Sequence, residues 1–374
     1  MNRVKVSLGE RSYNILIGPG LLSKSGAIIK KLNIGRDAVV ITNKVLRRAY
    51  GVTLKNSLNK SGISVKFELV PDSEKAKSSR TLLKVLNHIA AYDKKRSVFI
   101  IAFGGGVIGD LAGFVAASYK RGIPYVQIPT TLLAQVDSSV GGKVAIDLPA
   151  AKNLAGAFYQ PKAVISDINV LMSLSPRQVC NGLAEIIKYG AIKDRALFAY
   201  LEKNFRLAAA LDKKVLKTLI MRSVRIKARL VGEDEFDKKG KRMILNYGHT
   251  IGHAIEAASS YSNRYNHGEA IAIGMCVAAD IACGLNLLKR ADAERIERLI
   301  KRCGLPTKIE GLKFSSIYEA HLHDKKFAKA KNRFVLPCAT GDVRIVEAVP
   351  DRVIVAAIKR RLLNLRKGLY ICIP

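Results

Sequence analysis

The sequence predicts an α/β amino-terminal half followed by a helical carboxy-terminal half, and three observations carry that prediction. Short apolar, β-branched runs alternate with helically spaced stretches up to about residue 165; the strand signal fades from about Leu171; and a glycine cluster directly follows one of the strands. The strands read as Asp37–Thr42 (DAVVIT), Ser64–Val70 (SVKFELV), Ser97–Gly106 (SVFIIAFGGG), Tyr125–Pro129 (YVQIP) and Lys162–Ile168 (KAVISDI), and the opening MNRVKVSLGERSYNILIG alternates like a strand too. Between them, stretches such as Thr81–Ala91 have helical spacing, so a parallel sheet with helices on its faces is expected.

In the second half, Ser175 reads as an N-cap with Pro176 at the first helical position. Helical periodicity then recurs over Lys213–Val231, Thr250–Ser259, Glu269–Leu288 and Ala291–Cys303. The change of pattern divides the chain into an α/β domain at 1–168 and a helical domain at 169–374, without a repeat or low-complexity linker.

Composition agrees with a folded two-domain protein: 374 residues, 49% hydrophobic and 25% charged. No apolar run reaches the roughly 18–20 residues of a membrane span, and the amino terminus lacks a signal peptide's unbroken apolar core, so a cytoplasmic protein without a membrane role is expected. The six cysteines, Cys180, Cys276, Cys283, Cys303, Cys338 and Cys372, form no C-x-x-C pair and read as buried free thiols. The formal charge of +33 suits anionic ligands; the basic residues are spread along the chain, with no tryptophan and no interleaved aromatics, which speaks against nucleic acid as a partner.

The stretch IIAFGGGVIGDLAGFVA places Gly104, Gly105 and Gly106 between a strand and a helix. Glycine there lets the backbone approach a pyrophosphate while the helix N-terminus offers N–H groups, which points to a dinucleotide although the pattern departs from G-x-G-x-x-G, or else to a tight turn that only packs helix against sheet. In QIPTTLLAQVDSSVGGKVAIDLPAAKNLAGAFYQP, the groups of Thr130, Thr131, Asp137, Lys143, Lys152 and Asn153 suit a polyhydroxylated anion, or else simply line a solvated loop.

Three of the six histidines fall within Leu245–Ala270. His249 and His253 stand four apart, the helical spacing of a zinc pair, yet no glutamate occupies a protease's general-base position between them. His267 precedes another helix, and Glu185 is an acidic residue in an otherwise apolar helical run, where a carboxylate needs a partner, a proton or a metal. One carboxylate with two or three histidines, and no thiolate, suits a catalytic zinc with an open position as well as it suits satisfied buried polar groups.

Taken in order, GGGVIGDLAGFVA, YKRGIPYVQIPTTLLAQVDSSVGGK, KNLAGAFYQP, GLAEIIKYG, LNYGHTIGHAIE, HGEAIAIGM, and DKK followed by RFVLP make the chain resemble the 3-dehydroquinate synthase family of sugar phosphate cyclases from about residue 72 to 337. The resemblance implies a Rossmann-like amino-terminal α/β domain and an all-α carboxy-terminal domain, with NAD, a divalent metal (zinc or cobalt) and a sugar phosphate substrate in the cleft between them. As metal ligands it implies Glu185, His249 and His267, leaving His253 for proton handling on substrate. For NAD it implies Asp72, Ser73, Glu74, Lys75, Ala76, Lys77, Gly106, Val107, Ile108, Gly109, Asp110, Thr130, Thr131, Lys143, Lys152, Val170, Leu171, Met172 and Ser173. For substrate it implies Asp137, Lys143, Asn153, Lys188, Lys227, Arg242, Asn246, His253 and Lys325, with Arg121 reaching the phosphate across the interface of a homodimer. Two departures stand out: DEFDKKGKR at Asp234–Arg242 is one residue longer than the family's form, which unsettles Lys227, and Ala151 replaces a common glycine.

Overall fold

The computed structural model describes residues 1–94, 96–259, 264–327 and 332–363, with side chains for all of these but 324–327. The chain forms two compact units, 1–182 with 207–241, and 183–206 with the residues from 242 on. This differs from a single boundary at 168/169. The physical reason is α7 (Lys213–Glu233): it starts on the cap Asp212, which accepts from Val215 N at 2.8 Å, and buries Leu216, Leu219, Ile220 and Val224 within the first unit.

The first unit also contains β1 (Asn2–Val6), β2 (Tyr13–Gly18), α1 (Ser25–Lys30), β3 (Asp37–Thr42), α2 (Lys44–Lys60), β4 (Ser64–Leu69), α3 (Ser79–Tyr92), β5 (Val98–Gly104), α4 (Gly106–Ser118), β6 (Tyr125–Pro129), β7 (Lys143–Leu148), β8 (Ala151–Phe158) and β9 (Ala163–Asp167). Seven strands make one sheet in the order β1-β2-β9-β6-β5-β3-β4, parallel throughout except for the antiparallel β1/β2 pair. Both faces are covered. Val40, Phe99, Ile101, Phe103, Val126 and Ile128 pack on one side, while Val39, Ile41, Ile100 and Ala102 pack on the other, so the central strands read as continuous apolar runs. The chain leaves β3 toward β4 on one side and returns to β5 on the other. The carboxyl ends of β3 and β5 therefore flank a switch point, the place where open α/β sheets take their ligands. β7 and β8 form a separate antiparallel hairpin, unexpected from sequence.

The second unit holds most of α5 (Pro176–Lys193), with α6 (Arg195–Ala209), α8 (His249–Ala258), α9 (His267–Gly284), α10 (Arg290–Arg302), α11 (Phe314–Phe327) and α12 (Asp351–Arg361). It is mostly helical, with one ribbon of β10 (Arg333–Ala339) and β11 (Asp342–Glu347). Among the described residues α9 alone is long and apolar enough to span a membrane, but fourteen of its eighteen residues are buried, the profile of a core helix. Of the described cysteines, Cys276 and Cys303 are buried, as expected, while Cys180, Cys283 and Cys338 are only half-buried.

Candidate active site

Local sequence fixes the histidines. Gly248, at φ 79°, turns the chain into α8, and Asn266 caps α9 by accepting from Glu269 N at 2.9 Å while the Glu269 carboxylate accepts from Asn266 N at 2.9 Å. His267 is thus held at the first position of α9. The two helices touch through glycine: a Cβ on Gly274 would stand 1.9 Å from the Gly248 carbonyl oxygen, and one on Gly252 would stand 2.6 Å from Ile271 Cδ1.

Onto this pair α5 brings Glu185, fully buried, with Oε1 at 3.6 Å from His249 Nε2 and 3.4 Å from His267 Nε2. Lys188, one turn along and also buried, pairs with the other Glu185 oxygen. The ligand atoms of Glu185, His249 and His267 all lie within 4.8 Å of one another. The His253 ring is 5.2 Å from that of His249 and 6.4 Å from that of His267, and His253, Glu256 and His267 form a second candidate set.

Burial, with the charge of Lys188, holds His249 well below the usual histidine range. Its Nδ1 lies 3.1 Å from the Tyr247 carbonyl, so the neutral ring donates there and turns the Nε2 lone pair toward Glu185. Burial also opposes charge on His267, but the hydrogen bonds its ring N–H groups donate to Glu185 and Glu256 outweigh it and push its pKa up to about 10. The donor set fits a divalent cation: two imidazole nitrogens and one carboxylate, no thiolate, and one ring already oriented by its other nitrogen.

In the first unit, Asp137 lies in a π-helical turn, Ala134–Ser138, and accepts from Lys227 Nζ through its carboxylate at 2.8 Å and its carbonyl at 2.9 Å. The loop after α7 is tied down where Asp234 accepts from the backbone N–H groups of Lys238, Lys239 and Lys241. Lys143 pairs with Asp237 at 2.6 Å, a residue the sequence reading missed.

The residues expected to hold NAD line the carboxyl edge of the sheet: Asp72–Lys77 after β4, Gly106–Asp110 after β5, Thr130 and Thr131 after β6, and Val170–Ser173 after β9. The N-terminus of α4 has no side-chain cap, and a Cβ on Gly105 would meet Thr131 Cγ2 at 3.1 Å, so the residues present fit a phosphate against bare N–H groups. Ala76, Ile108, Val170 and Leu171 bury their side chains and can offer only main-chain groups. Lys77 is itself buried against Asp110 at 2.9 Å, donates to Asn153, and takes Asp147 N on its carbonyl at 2.7 Å, so it fastens the hairpin that carries Lys152 and Asn153. Burial, opposed by Lys77, pushes the Asp110 carboxyl up to about 6. Asn43, at the end of β3, donates to Asp72 at 2.5 Å and was also missed, although its place after a strand was readable.

Arg121 is exposed in a turn at positive φ, Arg242 is buried and Asn246 exposed in the turn before α8, and Lys325 lies outside the described side chains.

Family models match the chain in two contiguous parts, 3-dehydroquinate synthase N-terminal over residues 68–181 and C-terminal over 182–327. A curated 3-dehydroquinate synthase of Citrifermentans bemidjiense is 47% identical over 343 residues, covering 92% of this chain and 94% of its own. The chain belongs to the 3-dehydroquinate synthase family. Among solved structures, 2-deoxy-scyllo-inosose synthase complexed with carbaglucose-6-phosphate, NAD+ and Co2+ is similar with a TM-score of 0.87 and 28% identity, covering 96% of this chain and 100% of its own. The 2-epi-5-epi-valiolone synthase of Streptomyces hygroscopicus subsp. jinggangensis 5008, with NAD+ and Zn2+ bound, has a TM-score of 0.86 and 26% identity over 95% and 98% of the two chains.

Proposed function

We propose that this chain acts in the cytoplasm as a 3-dehydroquinate synthase of the shikimate pathway, converting 3-deoxy-D-arabino-heptulosonate 7-phosphate to 3-dehydroquinate and phosphate. The observation that carries the reading is the convergence of Glu185, His249 and His267 on one point, in a chain 47% identical to a curated synthase over most of its length. The proposed cofactors are NAD and zinc or cobalt: bound NAD would supply a recyclable hydride acceptor, and the cation a Lewis acid for a substrate oxygen. Glu185, His249 and His267 would hold the cation. Residues along the carboxyl edge of the sheet, Asp72–Lys77, Gly106–Asp110, Thr130, Thr131 and Val170–Ser173, together with Lys143 and Lys152 of the β7–β8 hairpin, would hold NAD.

The chain's own groups would do the rest by charge and proton placement. Phosphate would leave by elimination across a C–H and a C–O bond, with its own oxygen as the base, and Lys143, Lys188, Asn153 and Arg121 are the groups proposed to hold its charge in place. Arg121 would do so in a homodimer, reaching the partner's site. Asp137 and Lys227 would orient hydroxyls, Arg242 and Asn246 would take the carboxylate end, and Lys325 is a further candidate cation. His253, one turn from His249, would shuttle the hydroxyl proton. Ring opening and intramolecular aldol closure would complete the carbocycle with no net redox change.

Arg242 and Asn246 favour a carboxylate-bearing substrate over the sugar phosphates of sibling cyclases. Incubating the protein with the heptulosonate phosphate, and with sugar phosphates that lack a carboxylate, should give a carbocycle from the first alone. A carbocycle from the others alone would assign a sibling activity, and steady NADH accumulation would assign a polyol dehydrogenase.

A further inference from the structure

His267 belongs to two candidate ligand sets, one with Glu185 and His249 and one with His253 and Glu256. A single imidazole cannot offer one lone pair in both directions, so the ring's second nitrogen decides which set is real. His267 Nε2 faces Glu185 Oε1 at 3.4 Å, while its Nδ1 faces Glu256 Oε2 at 3.6 Å.

We infer that Glu256 is a positioning residue for the metal: its carboxylate receives the Nδ1–H of His267, so that the proton a cation displaces is the one on Nε2, the nitrogen that faces Glu185. The inference rests on the proposed metal reading and deepens it. Three observations support it. His249, His253 and Glu256 sit at i, i+4 and i+7 on α8, hence along one face of the helix, so the carboxylate lies beside the histidines by helical geometry alone. The glycine contacts of Gly248, Gly252 and Gly274 bring α8 and α9 into direct backbone contact, which sets Glu256 opposite the first residue of α9. His249 already shows the same arrangement, with Nδ1 against the Tyr247 carbonyl and Nε2 toward Glu185. Both imidazoles would then ligate through Nε2, one oriented by a carbonyl and the other by a carboxylate, which also raises the basicity of the nitrogen that ligates. Glu256 is thereby assigned to the outer nitrogen of His267 rather than to a cation of its own.

The test is metal binding by the full-length protein, stripped and titrated with Co2+ in competition with a chromogenic chelator, for wild type, Glu256→Gln, Glu256→Ala and Glu185→Gln. Circular dichroism of the metal-free proteins establishes folding, and the isosteric glutamine serves if the alanine variant does not fold. The expected result is one Co2+ per chain in wild type and in both Glu256 variants, with an unchanged visible absorption envelope. Affinity should fall on the order of 10–100-fold in Glu256→Ala and less in Glu256→Gln, which keeps an acceptor oxygen. Glu185→Gln should lose tight binding. Unchanged affinity in folded Glu256 variants would overturn the inference while leaving the three-ligand reading intact. Loss of the site in Glu256→Gln, with Glu185→Gln still binding, would make Glu256 a ligand and overturn both.

Discussion

His253 and His267 lie within one ring contact of each other, yet the proposed function gives them different work. His267 Nε2 faces Glu185 Oε1 at 3.4 Å, as His249 Nε2 does at 3.6 Å, whereas His253 is exposed and its ring stands 6.4 Å from that of His267. His253→Ala should therefore keep one metal per chain and lose turnover by roughly 100-fold or more, the usual worth of a positioned acid or base. His267→Ala should lose tight metal. Metal analysis of the two variants checks the assignment, and the reverse pattern would assign the tidy His249/His253 pair as ligands. That pair was what spacing nominated. Helical spacing reports only that residues share a face, and His249, His253 and Glu256 all share this one. Which of them meets a metal depends on what α5 and α9 bring to that face, and local sequence does not encode that; the proposed set of Glu185, His249 and His267 came from the resemblance of seven ordered motifs. Asp237 escaped notice because its pairing with Lys143 spans 94 positions and arises only where the loop after α7 reaches the hairpin.

At the scale of elements, the central strands were legible because burial on both faces makes them uninterrupted apolar runs: Asp37–Thr42 and Tyr125–Pro129 appear with the expected bounds. The β7–β8 hairpin was read as a polar loop, since β8 is exposed or half-buried along its whole length and carries small residues instead of an apolar face. The place of α7 was likewise hidden, because periodicity gives a helix its apolar face without naming what covers it. The contact between α8 and α9 yields a prediction of its own. Gly274→Ala would push a methyl into the Gly248 carbonyl, so it should destabilise the protein by about 1–3 kcal/mol or more and weaken metal binding as the helices separate; denaturant midpoints with and without Co2+ measure both. Unchanged values would mean that the close approach is not needed.

The attachment of α12 gives a pH dependence. Arg361 is buried between Asp280 at 2.6 Å and Glu297 at 2.8 Å, and Lys301 adds a second partner to Glu297 at 2.7 Å. Burial raises the Glu297 carboxyl, but hydrogen bonds from Lys301 and Arg361 outweigh it and lower it from 4.5 to about 2. A folded-state value below the unfolded one means that this stabilisation is fully present above about pH 4.5 and is lost as pH falls toward about 2. The denaturant midpoint of Glu297→Gln should sit below wild type at pH 7 and converge with it on acidification. A gap that persists unchanged at pH 2 would show that packing, and not charge, accounts for the difference.

For the whole molecule, 63 basic residues against 30 acidic ones make an anionic substrate's approach favourable and salt-sensitive, but they do not choose among substrates. That choice falls to the sites, and the central claim is that metal and NAD serve one phosphate-eliminating cyclisation with no net redox change. The most direct measurement is phosphate release from 3-deoxy-D-arabino-heptulosonate 7-phosphate by metal-stripped protein, with NAD and Co2+ or Zn2+ added singly and together, while NADH absorbance is followed. The account predicts many turnovers of phosphate only when both are present, with no accumulation of NADH; release that ignores the metal, or NADH rising in step with substrate consumed, would contradict it.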